Sequence, residues 1–205
     1  IERAVEAGKR MMDDLSKQTR VPCDVSELMV ATKCGGTDAT SGLAANPAVG
    51  EMADILTAHG GSAILSECND LLGTEDILAK RAVSKEVADK VYGAIYEIED
   101  VLRSGLDNSL GKNRNQLISP GNFAGGVSSI VEKALGGVHK SGTSPIVDVL
   151  DYASRPPKGE KGLFLMKYES HDGEVVTGML GCGAQITAFT TGRGTPFGAP
   201  APTIK

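Results

Sequence analysis

Residues 33–47 read Lys-Cys-Gly-Gly-Thr-Asp-Ala-Thr-Ser-Gly-Leu-Ala-Ala-Asn-Pro and form the most informative stretch of the chain. One Gly-rich turn there carries a thiol (Cys34), a carboxylate (Asp38) and three hydroxyls (Thr37, Thr40, Ser41). Free backbone N–H groups in such a turn, with the partial positive charge of a helix start behind them, attract an anion. A second polar cluster, Ser66-Glu67-Cys68-Asn69-Asp70, follows another short apolar run. A third stretch, Thr190-Thr191-Gly192-Arg193-Gly194-Thr195-Pro196-Phe197-Gly198, centres on an arginine. The planar fork of arginine grips a carboxylate through two parallel hydrogen bonds, and the flanking glycines permit close approach of a ligand. These residue types suit a site for a small anion, with thiol and carboxylate groups beside it for proton transfer or metal ligation.

Three apolar runs must position these groups. Residues 27–32 and 62–65 read as buried strands, separated by a helical pattern over 46–59 (Val49, Met52, Ile55, Leu56) that Gly60-Gly61 stops. Strand, helix, strand implies a parallel crossover, and ligands of open parallel sheets sit beyond the carboxyl ends of the strands. If the two strands are neighbours, Cys34, Asp38 and Glu67 gather on one edge. Further strands are expected at 163–166 and 185–189, the latter opening into the arginine turn. Helices are expected at 1–19, 74–80, 84–104 (capped by Ser84) and 127–135, the last stopped by Gly136-Gly137. The polar stretch 106–126, with Asp107, Asn108, Ser119-Pro120-Gly121-Asn122 and Gly125-Gly126, reads as a long functional loop or a boundary. His59 reads as a helix-end cap, and His171 as part of a hairpin-like turn. The expected fold class is α/β: a Rossmann-like three-layer fold, mostly parallel, with Gly-rich turns at strand ends, in a single domain over 1–205.

Composition narrows the partners. The chain has 205 residues, enough for a substantial core. Only 4% of residues are aromatic and the net charge is −5, which argues against nucleic acid. No run of about 18 apolar residues exists, so no membrane span is expected. The four cysteines, Cys23, Cys34, Cys68 and Cys182, form no CxxC pair and read as reduced thiols of a cytoplasmic protein. The chain opens at Ile1 inside a helix-like pattern, which reads as a fragment of a longer polypeptide.

The motifs in order, Lys33-Cys34-Gly35-Gly36-Thr37-Asp38 with Ser41-Gly42 and Ala45-Asn46-Pro47, then Ser119-Pro120-Gly121-Asn122 with Gly125-Gly126, Glu132-Lys133 and Lys140, then Phe189-Thr190-Thr191-Gly192-Arg193-Gly194, resemble the altronate and galactarate dehydratase family. The resemblance implies a lyase that removes water from a sugar acid with a divalent metal, Fe2+ or Mn2+. A sulfolactate sulfo-lyase large subunit is the close alternative, favoured by Cys23-Asp24 to Ser26-Glu27-Leu28, with Gly36 and Thr37 departing from it. A non-catalytic module that binds a sugar acid is the reading from another class. The dinucleotide fingerprint G-x-G-x-x-G does not follow the first strand. The resemblance also implies a missing upstream region, and hence a homo-oligomer or association with an absent amino-terminal domain or subunit.

Elimination from a hydroxy acid needs the carboxylate fixed, the α-proton removed, the enediolate stabilised and the β-group released. For the base the candidates are Lys140, His139 and Lys133, with Lys140 placed in the motif; Lys133 beside Glu132 reads as a helix-face pair. Arg193 and Asp38 join Lys140 as expected catalytic residues. The expected substrate contacts are Gly35, Gly36, Ser41 and Asn46 of the first turn, Asn122, Gly125 and Gly126 of the second, and Thr190, Thr191, Gly192 and Gly194 of the third. Glu67 and Cys34 are the expected metal ligands: iron(II) accepts both thiolate and carboxylate.

Overall fold

The computed structural model describes residues 1–105 and 113–205. The first part of the expected 106–126 loop, with Asp107 and Asn108, lies outside the described residues. Six strands, β1 (Met29–Cys34), β2 (Ser62–Leu65), β3 (Ile146–Leu150), β4 (Leu163–Met166), β5 (Ile186–Thr190) and β6 (Thr203–Ile204), form one sheet in the order β3-β4-β2-β1-β5-β6. Every pairing is parallel. The helices are α1 (Glu2–Ser16), α2 (Asn46–Ala58), α3 (Glu75–Ala79), α4 (Lys85–Ser104), α5 (Pro120–Ala124), α6 (Ile130–His139) and α7 (Asp172–Cys182).

Strand residues alternate between two cores, as the pleat requires. Ala63, Leu65, Leu163 and Leu165 pack with Val87, Val91 and Ile95 of α4. Their neighbours Ala31, Ile64, Phe164 and Met166 pack on the opposite face with Val175, Val176 and Met179 of α7. The result is the expected three-layer α/β arrangement. The chain leaves β2 toward the α4 face and leaves β4 toward the α7 face. Adjacent strands whose connections diverge in this way open a crevice at their carboxyl ends. α1 buries none of its residues, and none of the helices among the described residues is long and apolar enough to cross a membrane.

Four local expectations change. β1 starts two residues later than expected, so Lys33 and Cys34 belong to the strand end rather than to the turn. α6 does not stop at Gly136-Gly137 but runs to His139, capped at its start by Ser129. Those glycines serve packing: a β-carbon at Gly136 would lie 3.2 Å from the Gly42 Cα, and one at Gly137 would lie 3.1 Å from the Asp70 carbonyl oxygen. The hairpin-like turn expected at His171 is instead the N-cap of α7. That helix carries Gly178 and Gly181, poor helix formers, because Tyr152 and Ala153 press against it there. Two strands, β3 and the edge strand β6, are added to those expected.

Candidate active site

The carboxyl ends of β1, β2 and β4 surround a cavity of about 490 Å³, within the usual range for a small-molecule site. Cys34, Gly35, Gly36 and Thr37 line it from β1 and its turn, Asn69 and Asp70 from beyond β2, and Ser170 to Asp172 from beyond β4. Ser119 and Asn122 close it from the start of α5, and Lys133 enters from α6. The segment before α5 is tied down by Arg114, which pairs with Glu75 of α3 at 3.0 Å and Glu99 of α4 at 2.7 Å.

Glu67 is the hub beneath this cavity. It is fully buried, and its backbone sits in the left-handed region at φ 69°, a strained setting for a non-glycine residue. One carboxylate oxygen accepts from the Lys33 ammonium at 2.6 Å. The other accepts from the Lys140 ammonium and from the Cys34 N–H. Lys140 also donates to the Cys34 sulfur at 3.2 Å. Lys33 is spent on Glu67, on Asp172 at 2.9 Å and on the carbonyls of Cys34 and Ser170.

The charges hold one another in place. Burial by itself would raise the Glu67 carboxyl, but Lys140 and Lys33 bring it down to about 2. Burial likewise disfavours the Lys140 ammonium, and Cys34 and Glu67 more than reverse this, so it lies above the ordinary lysine range. Lys33 is raised in the same way, burial being outweighed first by Glu67. Lys133 is raised too, burial being outweighed first by Asp70. Three ammonium groups therefore stay charged inside the protein, and Lys133 alone among them has a place in the cavity lining with only two acceptors: Asp70 at 2.8 Å and Asn122 at 2.9 Å. A third N–H of its ammonium is left for a ligand.

The turn after β1 adds donors. Gly36 has φ +58°, and among the described residues the N–H groups of Gly36 and Thr37 have no protein acceptor. Both residues line the cavity. Free N–H groups in a left-handed turn form an anion nest.

The cysteine turn and the arginine turn share this edge: the N–H groups of Gly192 and Arg193 donate to the Gly36 carbonyl at 3.3 and 3.1 Å. Arg193 itself is exposed, with its guanidinium against Gly121 and outside the lining residues. Asp38 caps the turn instead of lining the main cavity. Its carboxylate accepts from Thr40 and Ser41, which hold it below the usual range, Thr40 first, and Gly192 packs directly against it. Ser41 also accepts from the Asp38 N–H. Asn46 and Thr190 join each other at 2.6 Å, and Asn46 donates to the Gly136 carbonyl at 2.8 Å, so both tie β5 to α6. Gly125 and Gly126 bring the second turn onto the first: the Gly125 carbonyl accepts from Ala39 N–H at 3.1 Å, and Gly126 is left-handed at φ +93°. Thr191 and Gly194 face Gly36, the Thr191 hydroxyl being buried without a partner among the described residues.

Of the expected site residues, Cys34, Gly35, Gly36 and Asn122 line the main cavity, and Glu67 and Lys140 lie directly beneath it. Lys133 was read as paired with Glu132; in the structure Glu132 accepts from Ser128 instead, and Lys133 turns inward to Asp70. Lys33, Asn69, Asp70 and Asp172 were not among the expected site residues, and the inward turn of Lys133, a candidate base, was not expected. One signal was available: Lys133 and Lys140 are seven residues apart, two turns of one helix, and therefore share a face.

Cys34, Glu67 and Asp70 bring one ligand atom each to within 4.8 Å of one another, a buried group that could bind a metal. In this arrangement the ammonium groups of Lys33, Lys140 and Lys133 already occupy the acceptor positions of these donors. A divalent ion does not fit there unless they move away.

A family model described as D-galactarate/altronate dehydratase, C-terminal, matches residues 25–205. An altronate dehydratase of Bacillus subtilis is 38% identical over 205 residues, covering 98% of this chain and 40% of the relative. A galactarate dehydratase (L-threo-forming) of Escherichia coli is 37% identical over all of this chain and 38% of the relative. The (2R)-sulfolactate sulfo-lyase subunit beta of Chromohalobacter salexigens is 35% identical over all of this chain and 52% of its own length. The chain thus spans about two fifths to one half of these relatives and corresponds to a domain of a larger protein.

Proposed function

This chain belongs to the D-galactarate/altronate dehydratase family, and we propose on that footing that its cavity binds the carboxylate end of a sugar acid, such as altronate or galactarate, and eliminates water from it. The observation that supports this most is the donor set lining one cavity: the spare N–H of Lys133 and the free N–H groups of Gly36 and Thr37. A carboxylate held by these three donors gains most when charge builds on it during α-proton removal. Donors aimed at developing charge in a buried site are the largest single contribution to such reactions. Lys133 remains protonated beside Asp70, so it holds the enediolate and can pass a proton to the departing β-hydroxide. The product side is an enol that becomes a keto acid, and the hydroxide leaves as water.

Lys140 reaches the cavity only through Cys34 and stays charged, so its role is to hold Glu67 and the sulfur in place rather than to take a proton from substrate. Arg193 stands unpaired among the described residues at the edge of the same turns, and we assign it to the distal end of the substrate, the second carboxylate of a diacid. The divalent ion implied by the resemblance, Fe2+ or Mn2+, would reach Cys34, Glu67 and Asp70 only by displacing lysines, so no step is assigned to it. Four unpaired thiols suit a reducing cytoplasm. The partner is the remainder of the protein or a second subunit, and a homo-oligomer is compatible with either.

The test is turnover by the full protein that carries this chain, with altronate, galactarate and sulfolactate supplied separately. Release of water from a sugar acid supports the reading. Release of sulfite alone would move the chain to the sulfo-lyase branch, and tight binding with no product would leave a binding module.

A further inference from the structure

Resting on the dehydratase reading above, we propose that Asn69 and Ser170 form the subsite for the α-hydroxyl of the acid, and that this pair separates the hydroxy acid from its dehydrated product. Among the described residues, three buried side-chain oxygens lack a hydrogen-bond partner: the Asn69 carbonyl and the hydroxyls of Thr187 and Thr191. Of these, Asn69 alone lines the cavity. Its segment reaches the wall because Glu67, left-handed at φ 69°, turns the chain from β2 straight into the short helical turn Cys68–Leu71.

The neighbours of the amide fix its orientation. Asn69 is only 7% exposed, and its nitrogen donates to Asp70 at 3.0 Å and to the Ser170 hydroxyl at 2.9 Å. Asp70 is a carboxylate paired with the Lys133 ammonium, so it can only accept. Turning the amide over would set two acceptors against each other. The carbonyl oxygen is therefore the group left without a donor, and a buried acceptor in that state costs free energy until a donor arrives. Ser170 supplies the converse. It lines the cavity, its oxygen takes the Asn69 N–H, and its own O–H has no acceptor among the described residues. An unfilled acceptor beside an unfilled donor matches a hydroxyl, which gives one hydrogen bond and takes another. The cavity carboxylates Glu169 and Asp172 are partly exposed, so solvent satisfies them without a ligand.

Position selects the hydroxyl. The Lys133 ammonium and the Asn69 amide bind the same oxygen of Asp70. A carboxylate held by Lys133 therefore has Asn69 at its side, where the hydroxyl of the adjoining carbon falls. The β-hydroxyl fits less well, because a group departing as water needs a proton delivered to it and a carbonyl delivers none. Dehydration then removes the match. The enol formed by elimination becomes a ketone at the α-carbon, and the β-carbon is left with hydrogen only. The keto oxygen can still accept from Ser170, but the Asn69 carbonyl is again without a donor, which weakens the hold on product.

The experiment uses the full protein and takes altronate or galactarate, whichever the wild type dehydrates, as the parent acid. Three derivatives without the β-hydroxyl are titrated by calorimetry: the 3-deoxy acid that keeps the α-hydroxyl, the 2-keto-3-deoxy product, and the 2,3-dideoxy acid. The wild type should bind the 3-deoxy acid roughly tenfold to a hundredfold more tightly than either of the others. Asn69→Leu should bring the three affinities within about threefold of one another, with that for the dideoxy acid close to the wild-type value. Ser170→Ala should weaken the 3-deoxy acid and the keto product relative to the dideoxy acid. Wild-type affinities for the 3-deoxy and dideoxy acids within about threefold of each other would overturn the inference, the amide then serving a bound water. That comparison needs no variant, so it stands even if Asn69→Leu misfolds. A preference that survives in Asn69→Leu would overturn it too, and equal losses for all three ligands would make Asn69 a structural support only. A wild type that dehydrates neither parent acid defeats the functional reading itself, which separates the two failures.

Discussion

Replacing Glu67 by glutamine tests the charge hub without reference to any substrate. Glutamine matches the volume and can still accept from one donor, but it removes the only negative charge between two buried ammonium groups. Lys33 would keep Asp172 at 2.9 Å and two carbonyls. Lys140, with no exposed surface, would keep only the Cys34 sulfur among the described residues. Breaking a buried ion pair from one side costs about 3–5 kcal/mol. An independent route gives a similar figure. If Lys140 escapes by losing its proton, taking a lysine of ordinary pKa about 10.4 to neutrality at pH 7 costs about 3.4 × 1.36, or about 4.6 kcal/mol. For a chain of this size, that lowers Tm by about 6–20 °C. The second route has a pH signature. The variant's native state then binds one proton fewer than its unfolded state, so its stability rises with pH. Urea unfolding of both proteins should show a deficit of about 4 kcal/mol at pH 7 that falls below about 1 kcal/mol near pH 10. A deficit under about 1 kcal/mol at pH 7 would refute the hub, and one that stays constant to pH 10 would show that Lys140 keeps its proton in the variant.

Other outcomes follow from the same geometry. Lys133→Met should lower kcat by roughly 10²–10³, the effect of losing one preorganised donor, with Lys133→Arg only partly restoring it in steady-state assays. Arg193→Ala should raise KM roughly tenfold with kcat nearly unchanged, because a charge-assisted contact at the rim is worth about 1.5 kcal/mol, and Tm should not move. The pH dependence of wild-type stability has a defined sign. The Glu67 carboxyl is lowered to about 2, so its contribution is complete above about pH 4.5 and disappears as pH falls toward 2. The raised lysines act oppositely and lose their contribution only above about pH 10.4, which a urea series across pH would show. Gly50→Ala should destabilise by about 1–3 kcal/mol in thermal melts, because its β-carbon would meet the His139 carbonyl and the Gly142 N–H, main-chain atoms that cannot swing away.

The parallel sheet, the α2 crossover and the meeting of the three Gly-rich motifs were legible, because apolar runs of four to six residues bounded by glycine leave few alternatives. α2, β2 and α4 fall within a residue or so of their expected bounds. Helix α7 was not legible, since its glycines lower local propensity and only the packing of Tyr152 and Ala153 explains them. The extension of α6 through Gly136-Gly137 was hidden for the same reason: local sequence cannot distinguish a helix stop from a close approach. At the site, residue type marked Cys34, Glu67 and Lys140, but not the acidic partners that bury the lysines. A lysine in sequence reads as solvated, and Lys33, Lys133 and Lys140 are buried only because Glu67, Asp70 and Asp172 arrive from distant segments. Arginine in a Gly-rich turn reads as the anion clamp; Arg193 stands exposed at the edge of the turns, and Lys133 inside the cavity is a further candidate donor that the sequence did not mark for that role.

The most direct measurement is a crystal structure of the full-length protein in complex with the acid that it dehydrates or with the product formed from it. The account predicts one carboxylate within hydrogen-bond distance of Lys133 Nζ and the N–H groups of Gly36 and Thr37, with a substrate hydroxyl on Asn69 Oδ1. Density for the acid elsewhere, with the Lys133 ammonium still bound only to Asp70 and Asn122, would contradict it.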